Sequence, residues 1–303
     1  MNVTSVKSIL VPEDAWLNQA RLDVNKTLEA LIPSIDTWPT DLHHAQHYAL
    51  MAAGKRFRPL LCLAIAEGLS ADRSTALRIG GIAEIVHTAS LILDDLPSMD
   101  DADLRRGRET VHLAFSESTA VLTATNLLNR SFGIAARTQG LTAEQRVTII
   151  DRLSQHVGSN GLIAGQIADL ANSDMNVAAE SVENLNALKT GALFDFTIEA
   201  AAIIGKASAE QTHYLSNFSK QIGLAFQLFD DLKDEVLAEA QSQKSVKRDI
   251  GKATLLALEG SEAAQKRLLG YMTQARAAIV AANLSTESVL THIIDKQFSI
   301  PNS

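Results

Sequence analysis

The 303-residue chain has one cysteine, six prolines and 5% aromatic residues, and each scarcity excludes something. With Cys62 alone, neither an intramolecular disulfide nor a multi-thiolate metal site can form within one chain, which fits a reducing compartment. The prolines are Pro12, Pro33, Pro39, Pro59, Pro97 and Pro301, so residues 98–300 contain none. Sheet-rich folds mark many turns with proline, and this gap predicts long helices instead. No uncharged apolar run of about 20 residues is present to span a bilayer. The N-terminal MNVTSVKSILVPEDAWLNQA lacks the apolar core and small-residue cleavage pattern of a secretory signal, so the expected location is cytoplasmic, with no membrane span. A net charge of -8 argues against nucleic-acid phosphates or an anionic membrane as partners, and any basic patch must be local.

What is abundant points the same way. An apolar content of 46% can fill a sizeable core. The segments between Gly and Ser/Asn/Asp clusters are rich in alanine and leucine with apolar residues at three- and four-residue spacing, as in SVENLNALKTGALFDFTIEAAAII, which predicts helix. No repeat, low-complexity tract or Gly/Ser linker divides the chain. The expected fold is all-α, a single domain over residues 1–303 with irregular termini at 1–10 and 299–303. The stretch IPSIDTWPTD and the polar QSQKSVKRDIGKAT read as further irregular pieces, the latter as a loop.

Against this background LILDDLPSMDDADLRRGR, residues 91–108, is anomalous, because Asp94, Asp95, Asp100, Asp101 and Asp103 crowd behind an apolar run. Two carboxylates about 4 Å apart repel by roughly 1 kcal/mol in water and about 4 kcal/mol at a protein edge. A positive partner is missing from the sequence. A second cluster lies in GLAFQLFDDLKDEV, where Gln227, Asp230, Asp231 and Asp234 stand at i, i+3, i+4 and i+7 and share one helix face. A solvated face is the bland alternative, but the same arrangement occurs twice. In the first cluster Pro97 interrupts helical counting, and a bulge around Leu96 to Met99 is expected to bring Asp94 and Asp100 together. Carboxylates without histidine or cysteine suit hard cations, magnesium above all, together with substrate phosphates. Arg105 and Arg106 come directly after, and Lys55, Arg56 and Arg58 lie upstream, so fixed cations are present as well. Arginine forks match phosphate oxygens, and the whole looks like a site for two polyphosphates.

These residues resemble those of the short-chain isoprenyl (polyprenyl) diphosphate synthases, most closely the bacterial geranylgeranyl diphosphate synthases. GKRFRP at 54–59, His87 seven residues before Asp94, DDLPSMD, GQIADL at 165–170, KTGALF at 189–194, FQLFDDLKD at 226–234 and KSVKRDIGKAT at 244–254 occur in family order over nearly the whole chain. The resemblance implies a helical bundle around a deep central cavity, a homodimer, and two aspartate motifs facing each other across the cavity mouth. It implies that Lys55, Arg58, His87 and Arg106 hold isopentenyl diphosphate. Arg105, Lys189, Thr190, Gln227, Lys244 and Lys252 then hold the allylic diphosphate. Asp94, Asp100, Asp230 and Asp234 bind magnesium, three ions in the substrate complex, supported by Asp95 and Asp231. The implied reaction ionises the allylic diphosphate and joins its carbocation to isopentenyl diphosphate, with no side-chain nucleophile.

Chain length is expected to be set near Ala89 and Ser90, where family members that stop at fifteen carbons often carry an aromatic floor. Ala89 lies about 7.5 Å along the helix from Asp94, and the small pair predicts a twenty-carbon, geranylgeranyl product, with Ala89→Phe shortening it. A farnesyl diphosphate synthase, a non-catalytic partner subunit and a terpene cyclase are the alternatives. The intact aspartate motifs disfavour the subunit, and GKRFRP with Arg106 disfavours the cyclase. His43 and His47 are read as a surface or satisfied pair, not metal ligands, and Trp16 and Trp38 as packing. Ala53, Thr125 and Asn126 depart from the commonest family pattern without touching a proposed ligand.

Overall fold

The computed structural model describes residues 12–171, 179–240 and 254–299, apart from the side chains at positions 234 and 236–240. In chain order the helices are α1 (Pro12–Leu31), α2 (Thr40–Leu50), α3 (Phe57–Gly68) and α4 (Arg73–Asp94). A two-stranded ribbon comes next, β1 (Leu104–Arg105) and β2 (Arg108–Glu109), then α5 (Val111–Ala114), α6 (Glu117–Arg137), α7 (Ala143–Val157), α8 (Leu162–Ala171) and α9 (Ala179–Asn186). A π-helix (Ala187–Gly191) leads into α10 (Ala192–Ile204), and α11 (Ala209–Ala240), α12 (Leu255–Glu259), α13 (Ser261–Ala282) and α14 (Glu287–Gln297) complete the chain. The all-α expectation holds, with the short ribbon as its only sheet among the described residues.

Local sequence explains the boundaries. Asp72 caps α4 by accepting from Thr75 N at 2.8 Å, and Ser116 caps α6 by accepting from Thr119 N at 3.0 Å. Thr142 and Gln145 form a reciprocal capping box at the start of α7. The ribbon turns through Arg106 and Gly107, both in the left-handed region, as a two-residue hairpin requires. Most of IPSIDTWPTD, residues 32–39, is irregular between α1 and α2, as expected, and its last two residues open α2.

The core is organised around α4, which packs against α1, α2, α3, α6 and α10. Ile79, Ile82 and Ile85 of α4 are fully buried, as befits a helix apolar on several sides. Its length and hydropathy would allow it to cross a bilayer, but 67% of the relevant window is buried among other helices. The helix expected over 181–204 is present, with the π-turn joining α9 to α10 without a break. The irregularity at Pro97 is a turn just past the end of α4 at Asp94, and it brings Asp94 and Asp100 together as expected, Asp100 N donating to Asp94 O at 2.9 Å. Trp16 packs and donates to Glu67, whereas Trp38, expected to pack, is 87% exposed because none of the described residues covers the α1–α2 connection there. His43 is buried against Gln46, and His47 bonds Pro33 O, so the pair is satisfied within the core and its edge.

Candidate active site

A cavity of about 400 Å³ opens between α4, α6, α8, the π-helix and α11. Its polar wall carries Arg58, His87, Ser90, Asp94, Lys189, Thr190, Gln227 and Asp230, eight residues singled out from the sequence. The rest of the lining is mostly apolar, with Leu93, Leu128, Val157, Leu162, Ile167 and Leu170 among its members. Charged groups and a largely hydrocarbon lining therefore share one space.

Asp94 ends α4 and is pushed up to about 6, first by burial and then by the neighbouring Asp100 and Asp95 carboxylates, against the pull of Lys189 and Arg105. Such a carboxylate is short of positive charge. Asp95 is 3% exposed and accepts from Arg105 Nε at 3.0 Å. That ion pair anchors Arg105 beside Asp94 and occupies much of its fork, a protein partner that the expected phosphate role leaves out. Across the cavity, Thr190 donates to Gln227 Oε1 at 2.8 Å, and Gln227 Nε2 donates to Asp231 Oδ1 at 2.9 Å. The i, i+4 spacing on α11 makes this chain possible and leaves Asp230 on the cavity wall. Among the described residues no three histidine, cysteine or carboxylate side chains converge as a closed metal cage. The carboxylate, hydroxyl and amide oxygens on the wall, and an Asp94 held up despite Lys189 and Arg105, fit a hard cation that also takes substrate phosphates. The side chain of Asp234, with Lys244 and Lys252, lies outside the described residues, as does the QSQKSVKRDIGKAT loop up to residue 253.

On the other flank Arg58 is buried, with its guanidinium carbon 4.4 Å from the Phe194 ring centre and 5.4 Å from that of Phe226. Burial lowers it to about 10, opposed by Glu84 and Asp230, so it stays charged. Its Nε has no hydrogen-bond partner among the described residues. His87 is held well below the usual histidine range, by burial first and then by Arg58, Arg106, Arg105 and Arg56, and is neutral. Lys55 and Arg106 stand beside the cavity: Lys55 donates to Gln297 O at 3.2 Å and feels the Asp230 carboxylate, and Arg106 projects from the hairpin turn and acts electrostatically on His87. Helix phase separates Ala89 from Ser90. Ala89 is fully buried in the core, while Ser90, one position on, faces the cavity.

Two features have weaker sequence signals. Asp169 accepts from Lys189 Nζ at 2.6 Å; it is the one carboxylate in the apolar GQIADLA stretch, and that isolation is the available clue. The π-helix has no evident signal, but a Cβ on Gly165 would lie 2.3 Å from Lys189 N, so glycine there admits the close approach. Cys62 is buried, its thiol pushed up to about 12 by burial, and takes no part in the site.

The sequence pattern of the polyprenyl synthetase family matches residues 39–286. The geranylgeranyl diphosphate synthase of Pantoea ananas is 37% identical over 284 residues, covering 93% of this chain and 92% of its own. An FPP/GFPP synthase from Zymomonas mobilis superposes with a TM-score of 0.84 at 34% identity, covering 95% of this chain and 99% of its own. A geranyltransferase from Helicobacter pylori, solved with magnesium and isoprenyl diphosphate, has a TM-score of 0.81 at 27% identity over 96% and 97%. The chain belongs to the polyprenyl synthetase family. It is a prenyltransferase of the geranylgeranyl diphosphate synthase-like kind.

Proposed function

We propose that the chain, acting as one domain over 1–303, condenses isopentenyl diphosphate with dimethylallyl, geranyl or farnesyl diphosphate to an all-trans geranylgeranyl diphosphate. One observation carries this reading: Asp94 and Asp230, from separate acidic motifs, line one cavity with Arg58, His87, Lys189 and many apolar side chains. Asp94, Asp100, Asp230 and Asp234 would hold magnesium, an ion that the Helicobacter pylori complex contains. When bound, magnesium supplies Lewis-acid stabilisation of the departing diphosphate. Lys189, steadied by Asp169, and Arg105, steadied by Asp95, add fixed positive charge at the same end, so the charge that develops there meets preorganised partners. Thr190 and Gln227, with Lys244 and Lys252, complete the allylic subsite. Arg58, His87, Lys55 and Arg106 receive isopentenyl diphosphate, and the apolar lining excludes water from the carbocation until carbon–carbon bond formation releases a proton to the diphosphate.

A cytoplasmic homodimer is part of the same proposal. Exposed Leu122 lines a groove with several small polar residues, Leu42 and Pro39, the last next in the chain to exposed Trp38, a face suited to a second copy. The test incubates the purified protein with magnesium, isopentenyl diphosphate and each allylic diphosphate, and reads product length by mass spectrometry. A linear twenty-carbon diphosphate is expected. A fifteen-carbon product moves the assignment to a farnesyl synthase, and no condensation with any starter by the folded protein overturns it in favour of a non-catalytic subunit.

A further inference from the structure

Arg56 stands between two of the proposed substrate ligands, yet its side chain turns away from the cavity. It is 4% exposed and in the left-handed region, at φ 53°. Its guanidinium makes four hydrogen bonds: to Asn25 Oδ1 on α1 at 2.9 Å, Glu84 Oε1 on α4 at 2.8 Å, Leu50 O at 3.0 Å and Ala52 O at 2.9 Å. With five N–H donors in a rigid fork, arginine is the side chain able to tie all of these elements at once. The partner Glu84 is 3% exposed and lies one turn before His87.

The neighbours of this knot are the groups that carry the proposed chemistry. Lys55 and Arg58 flank Arg56 in the chain, and Arg56 O accepts from Leu60 N at 3.1 Å, so its backbone starts α3. A Cβ on Gly54 would come within 2.8 Å of Arg106 Nη1 and 3.3 Å of Arg56 Nη1, so both guanidinium groups close on that glycine. Arg56 is thus a buried cation beside the cationic cluster of Arg58, Arg106 and neutral His87, and Glu84 is the carboxylate bonded to it. Glu84 also acts favourably on the charged forms of Arg58 and Arg106.

We propose that Arg56 and Glu84 are the positioning pair of the isopentenyl diphosphate subsite, touching no substrate but fixing the backbone and charge balance of Lys55, Arg58, His87 and Arg106. This inference rests on the assignment of those four residues to isopentenyl diphosphate. Breaking one member of a buried pair leaves an uncompensated charge, whereas replacing both by apolar groups is often tolerated. The test therefore compares Glu84→Gln with the double variant Arg56→Met/Glu84→Met, each checked for folding by circular dichroism and melting.

Kinetics are measured with each substrate varied against saturating partner. The double variant is expected to raise KM for isopentenyl diphosphate by about tenfold or more, with KM for the allylic diphosphate within about twofold and kcat reduced less than the isopentenyl KM rises. Glu84→Gln, where folded, should show the same selectivity. Unchanged isopentenyl KM in the double variant, equal rises for both substrates, or failure of that variant to fold would each overturn the positioning role and leave a purely structural pair. Turnover by the wild-type protein is read in the same experiment, so loss of the functional assignment itself would be recognised separately.

Discussion

Ser90→Phe tests how the cavity limits product length. Ser90 is four residues before Asp94 on α4, about 6 Å along the axis, and its side chain faces the cavity while bonding His87 O at 2.9 Å. A tail growing from a diphosphate near Asp94 and Asp230 has to pass it to reach Leu128, Val157 and Leu162. A phenyl ring there would deny the last five-carbon unit its place in the apolar lining. At about 0.8 kcal/mol per buried methylene, losing five carbons forfeits roughly 4 kcal/mol, or about a thousandfold in the final condensation if none of it is recovered by relaxation. Geranyl diphosphate should still be extended to fifteen carbons, whereas extension of farnesyl diphosphate should fall by two to three orders of magnitude on this scale. Single-turnover assays with each starter read this directly. Twenty-carbon product formed from farnesyl diphosphate at the wild-type rate would refute the reasoning. Ala89→Phe is the control: its site is fully buried, so overpacking should cost about 1–3 kcal/mol of stability without shortening the product.

The same geometry sets three further outcomes. Asp94→Asn, assayed in chelator, should raise the melting temperature at pH 7.5 while abolishing activity with magnesium: a folded pKa above the unfolded one makes the ionised carboxylate destabilising above about pH 6, and an unchanged or lower melting point would contradict this. His87 has the opposite linkage, since its depressed folded value means that the unfolded chain binds the extra proton. Stability should fall as pH drops below about 6.5, and His87→Gln should flatten that slope in urea titrations. Gly165→Ala places a methyl against backbone at Lys189 and should lower both the melting temperature and the affinity for the allylic diphosphate, whereas wild-type behaviour would show that α8 can shift freely.

Much of this site is legible in the sequence because helices convert spacing into direction. Gln227, Asp230 and Asp231 are expected on one face, and Gln227 bonds Asp231 while Asp230 lines the cavity. The proline-free span correctly implies helices because proline removes a backbone donor. Ala89 and Ser90 are less decipherable: both are small and adjacent, and only the rotation of α4 relative to its neighbours decides which meets the cavity. Arg56 and Arg58 look alike in GKRFRP, yet one is spent on four protein acceptors and the other keeps a buried Nε without a partner among the described residues. That division depends on α1, α2 and α4 meeting, which no local pattern encodes. The exposure of Trp38 is likewise a property of its surroundings and not of its own stretch of chain.

The π-helix at Ala187–Gly191 also makes this part of the chain intolerant of insertions and deletions. A π-turn accommodates a surplus residue within an otherwise regular helix. Removing that surplus residue would let regular helix run through with its flanks in phase, and the widened turn that presents Lys189 and Thr190 would be lost. Lys189 and Thr190 could no longer both meet Asp169 and Gln227, which lie on two different helices. Evolution can therefore exchange side chains here far more readily than it can change their number, and a single-codon deletion should be more damaging than most substitutions in the same five residues.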